Sequence, residues 1–147
     1  MFFIWGGEGT MQKTDSFYTF FVGGGAASVA FLLGGIDHLI IALTIFMAVD
    51  FVTGLFVGTK ETGASSKRAF RGLVKKGAMI GLVIIAHQLD IVAGTADSQF
   101  LRNAMILFLI AVEGISIIEN MERLGVPIPS FLRRHFEQMK KEGEDTK

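Results

Sequence analysis

Four long apolar runs divide the chain, and each is broken by at most one formal charge. Ser16 to Ile36 is 21 residues with none, and Leu39 to Thr59 is another 21 with only Asp50. Gly77 to Ala96 runs 20 residues with Asp90, and Asn103 to Ile118 runs 16 with Glu113. A helix needs about 20 residues to cross a hydrocarbon core about 30 Å thick, so the first three runs meet that length and the fourth sits near its lower limit. A soluble core of this size cannot hide four such runs. The pattern predicts an all-α integral membrane protein with membrane helices at 17–35, 39–58, 77–96 and 102–119. Three spans remain if 17–35, weakened by Gly23, Gly24 and Gly25, lies in the interface or re-enters.

The flanks predict the remaining organisation. Residues 1–16 carry Phe2, Phe3 and Trp5, which suit an interfacial anchor. Met1 to Thr10 holds Glu8 and no Lys or Arg, the wrong flank for a secretory signal, so the first segment is expected to be retained. After the fourth run, Pro127 and Pro129 stop the helix and Ser130 can cap a new one over 130–141. There Leu132, His135, Phe136 and Met139 fall on one side, with Arg133, Arg134, Lys140 and Lys141 on the flanks. This amphipathic basic helix, within a tail at 120–147, suits either a neighbouring subunit or an anionic membrane surface.

Charge matters here by location. Fourteen Lys and Arg balance fourteen Asp and Glu, so no global field recruits nucleic acid. The connection at 59–76, however, holds Lys60, Lys67, Arg68, Arg71, Lys75 and Lys76 against Glu61 alone, which places it in the cytoplasm by the positive-inside rule. Two crossings later the tail carries six further Lys and Arg, so the C-terminus is also expected inside and Gly94 to Arg102 outside. The N-terminus is inside if 17–35 spans and outside if it does not.

Acids in membrane helices normally face protein or water, so Asp50, Asp90 and Glu113 are the first candidates for function. Glu113 shares a face with Ser116 and, two turns on, Asn120, a polar stripe that could line water. The bland alternative is that the acids are hydrogen-bonded staples between helices. Gly54 with Gly58, and Gly77 with Gly81, are small-x-x-x-small pairs that let helices approach. Catalysis finds little support. His38, His87 and His135 are scattered over a turn, a span and the tail, and no nucleophile elbow or phosphate-binding glycine loop is present, so no cofactor or metal is expected. His87 suits a hydrogen bond between helices. Zero cysteines exclude thiol chemistry and thiolate metal sites.

Four blocks of residues resemble the toxin-secretion and phage-lysis holin family. They are Asp50-x-x-Thr53-Gly54; Ser65-Ser66 with Phe70-Arg71-Gly72-Leu73-Val74-Lys75-Lys76; Leu89-Asp90; and Val112-Glu113-Gly114-Ile115-Ser116-Ile117-Ile118-Glu119-Asn120 with Gly125-Val126-Pro127-Ile128-Pro129. Together they cover about Asp50 to Pro129, and Met1 to Gly35 matches only in being hydrophobic. The resemblance implies no enzyme. It implies a protein of the bacterial cytoplasmic membrane that forms homo-oligomers and opens lesions through which an endolysin or a toxin leaves. Met11 followed by Lys13 would offer a second, shorter start, a habit of that family. Two other classes fit the residues: a small ion- or proton-coupled transporter, and a membrane anchor for a secretion machine.

Overall fold

A computed structural model describes residues 22–63 and 65–145. The proposed anchor at Phe2, Phe3 and Trp5 and the alternative start at Met11 lie outside the described residues. Five helices follow in order: α1 described over Val22–Leu32, α2 His38–Thr62, α3 Ser66–Ala93, α4 Phe100–Arg123 and α5 Ser130–Asp145. The architecture is all-helical among the described residues, and α2, α3 and α4 are long and apolar enough to cross a membrane. The described part of α1 is shorter, and most of its side chains are exposed.

Local chemistry sets each boundary. Gly34 and Gly35 turn the chain at φ +74° and +109°, backbone that residues with a Cβ rarely adopt. A Cβ on Gly34 would also sit 2.6 Å from His87 Nδ1. Asp37 then caps α2 by accepting from the Ile40 amide at 3.0 Å. Gly63 at φ +77° ends α2, and α3 begins at Ser66. The basic residues Lys67, Arg68, Arg71, Lys75 and Lys76 are therefore the first three turns of a helix about 42 Å long, more than a bilayer core requires. Gly94 closes α3 in the left-handed region.

α4 is the centre of the bundle. It packs on α2, α3 and α5, whereas α2 and α3 meet each other only narrowly. The core joins Leu33, Leu43 and Met47 to Met79 and Val83 of α3 and to Ile106, Leu109 and Ile110 of α4. Large apolar side chains such as Val52, Phe56, Ile85 and Val92 point outward, the inverse of a soluble protein and suited to lipid.

The tail folds back. α5 runs along α4, with the Phe136 ring lying over Gly114, where a Cβ would come within 2.7 Å of it. The same ring meets Phe46 of α2 edge-on at 5.8 Å. Farther along, Gly143 lies against Phe108, leaving only 2.8 Å for a Cβ. An ion pair from Arg133 to Glu122 closes the turn between the two helices.

Candidate functional site

Two polar centres lie between the helices, one about midway along α2 and α4 and one at the end where the α1–α2 and α3–α4 turns meet. The first is built from the intramembrane acids. Lys76 of α3 donates to Asp50 Oδ2 of α2 at 2.8 Å and to Glu113 Oε2 of α4, so one ammonium joins three helices. Asn120, two turns beyond Glu113, donates to Asp50 Oδ1 at 3.1 Å and to Thr53 Oγ1 at 3.2 Å. Glu113 is fully buried, and its second oxygen has no hydrogen-bond partner among the described residues. Two carboxylates thus share one cation. Taking one member from such a buried set costs about 3–5 kcal/mol, because the remaining charge is left without its partner.

Beside this centre a groove of about 430 Å³ opens toward the basic end, lined in part by Asp50, Lys76, Ser116 and Asn120. A Cβ on Gly54 would stand 3.6 Å from Asn120 Nδ2, and the Arg68 side chain covers Gly58. The first small pair therefore faces its own chain. Gly77 and Gly81 are different: a Cβ at either would meet nothing within 4 Å.

The second centre surrounds Arg102, which is fully buried. Its guanidinium donates to Asp37 Oδ2 at 2.7 Å, Asn103 Oδ1 at 3.0 Å, Gly35 O at 3.0 Å and the Leu33 carbonyl. Gln99 adds a bond to Gly34 O at 2.7 Å. The α1–α2 turn is thereby clamped to the α3–α4 turn. The Arg102 hydrogen bond, opposed by partial burial, holds the Asp37 carboxyl below its ordinary range. Asp90 belongs to this end as well. Its two oxygens accept from the Leu101 amide at 3.0 Å and the Arg102 amide at 2.8 Å, capping α4, and from Thr95 Oγ1 at 2.8 Å.

The five polar candidates therefore part company. Asp50, Glu113, Ser116 and Asn120 gather at one centre, and Asp90 sits at the other. In the sequence Lys76 reads as a topology signal and Arg102 as the junction of the outside linker and the span at 102–119; neither shows there as the cation of a buried network. A lone arginine directly before a 16-residue apolar run was the available signal for Arg102. The expected hydrogen bond from His87 is not seen at Nδ1, which has no partner among the described residues; His87 instead packs beneath Gly34.

The docked tail raises an energetic question. By helical rise, Gly114 and Phe108 lie about 21 and 12 Å along α4, which is about 36 Å long. Glu137, Lys140, Lys141, Glu142 and Glu144 therefore lie alongside the apolar length of α4, and all but the half-buried Lys140 are exposed. Lys140 and Glu144 approach to 4.0 Å. A charge at the centre of a lipid-facing helix costs about 2.5–3.5 kcal/mol on insertion scales.

Three apolar spans with ion pairs buried between them define a multi-pass α-helical membrane protein. Residues 27–141 match the bacteriophage holin family, and the chain belongs to that family. The match begins inside α1 and so takes in part of the stretch that the four motif blocks did not reach. Similar proteins include an uncharacterized protein of Listeria monocytogenes, 39% identical over 110 residues that cover 75% of this chain and 77% of that one. An uncharacterized 14.9 kDa protein of Clostridium perfringens, from the nagH 3′ region, is 35% identical over 74% of this chain and 81% of its own length. Another of Bacillus subtilis is 32% identical over 80% and 81%. No solved structure matches.

Proposed function

We propose that this holin-like membrane protein oligomerises in the bacterial cytoplasmic membrane and forms lesions that release an endolysin or a toxin, with no catalytic step. The observation that carries the reading is the family match across all three spans and the tail as far as residue 141. The geometry is consistent with it. A single chain hides its charges by pairing Lys76 with Asp50 and Glu113, while Gly77 and Gly81 remain open on the outside of α3 for a neighbouring copy. The groove beside Asp50, Ser116 and Asn120 offers a polar surface that joins water once copies enclose one. The dense Lys and Arg at the start of α3 support a cytoplasmic location for that end and, after the return crossing along α4, for the turn where the tail begins.

Expression in a bacterial host tests this directly. Collapse of the membrane potential together with escape of a folded cytoplasmic enzyme is expected. Selective passage of a small solute with the potential maintained would instead favour an ion- or proton-coupled transporter. Neither leak nor lysis would leave an anchoring role.

A further inference from the structure

We infer that α5, docked along α4, forms the water-facing wall of the assembled lesion. The inference rests on the lesion reading above and adds to it the element that meets the lumen. The docking is a fitted one. Each helix offers a glycine notch to an aromatic ring of the other, Gly114 beneath Phe136 and Gly143 against Phe108, and Phe46 meets the Phe136 ring from α2.

The inner side of α5 is accordingly apolar, with Leu132, Phe136 and Met139 partly buried. The outer side carries Arg134, Glu137, Lys141 and Glu144 at depths where α4 is surrounded by hydrocarbon in a solitary chain. Acyl chains cannot solvate that face, and water reaches it only if several copies enclose a lumen. Then α5 stays docked and its charges are hydrated. On that outer side Arg134 and Lys141 balance Glu137 and Glu144, so the wall carries no net charge. Such a lining passes hydrated macromolecules without sorting them by sign.

The absence of cysteine allows a direct test with the full chain in leaking liposomes. Phe108→Cys with Gly143→Cys, and separately Phe46→Cys with Phe136→Cys, report docking by cross-linking. The second pair guards against a packing defect in the first. Nitroxides at Glu137→Cys and Lys141→Cys report the medium, with Ile85→Cys, 57% exposed on α3, as the lipid-facing reference. Cross-linking is expected, with the labels at 137 and 141 several-fold more accessible to a water-soluble nickel chelate, relative to oxygen, than the label at 85. Leaking vesicles in which neither pair cross-links would overturn the inference. So would cross-linked chains whose labels behave like the one at 85, or are shielded from both agents. Cross-linking in vesicles that never leak would defeat the lesion reading, and the wall with it; leakage itself tells the cases apart.

Discussion

Lys76 stands 2.8 Å from Asp50 and bonds Glu113 on the opposite side, so a residue of the basic stretch is also the cation that holds two intramembrane acids together. Lys76→Met leaves both carboxylates without their partner and is expected to lower stability by about 3–5 kcal/mol. Adding Asp50→Asn and Glu113→Gln in the same chain removes the unpaired charges and restores most of that loss. Denaturation in mixed micelles, followed by helical circular dichroism, checks both. Asp50→Asn or Glu113→Gln alone is expected to shift lysis timing and dye leakage. Unchanged timing in both would reduce the acids to structural staples.

Arg102 and Asp37 give a pH dependence with a definite sign. The Asp37 carboxyl is held below its ordinary value of 3.8, so its stabilising contribution is present above that pH and is lost as pH falls through the lower, folded value. Hydrogen exchange at the Ile40 amide, corrected for intrinsic rate, is expected to lose protection below about pH 4. Asp37→Asn should remove the acid transition.

Gly114 supports the docked tail through its missing side chain. Gly114→Leu would drive a branched side chain into the Phe136 ring and is expected to destabilise docking by about 1–3 kcal/mol. Faster tryptic cleavage at Arg133, Arg134, Lys140 and Lys141 reads the release of α5. Unaltered cleavage would show that the ring and Gly114 do not hold the tail.

Gly77 and Gly81 separate folding from assembly. Neither has a neighbour for a new Cβ to strike, so Gly77→Leu with Gly81→Leu should leave the solitary chain intact. The protein-to-lipid ratio needed for leakage is expected to rise several-fold. Thermal melting in dilute micelles, set beside leakage titration in vesicles, distinguishes the two effects.

Much of this molecule is legible in its hydrophobic pattern because lipid imposes a length on each span. The runs at 39–58 and 102–119 lie within α2 and, but for their margins, coincide with α4. The start of α3 was harder to see. Hydropathy reports contact with lipid, whereas the Lys, Arg, Ala and Leu residues that make up most of 67–76 favour helix in any polar medium, so the helix continues well beyond the apolar run. Asp50 and Glu113 announce themselves as costly in a membrane, but which cation neutralises them depends on how α3 is set against α2 and α4. Spacing within one helix cannot supply that register. The amphipathic character of 130–141 was equally plain, while its resting place depended on Gly114 and Phe108, contributed by another helix.

Liposomes loaded with the chain over a range of protein-to-lipid ratios, containing both a small dye and a folded enzyme, test the central claim most directly. Release of both is expected above a threshold loading, steeply dependent on it, as copies gather around water. Vesicles that retain the enzyme and the dye at every loading, with the protein inserted and solitary, would contradict it.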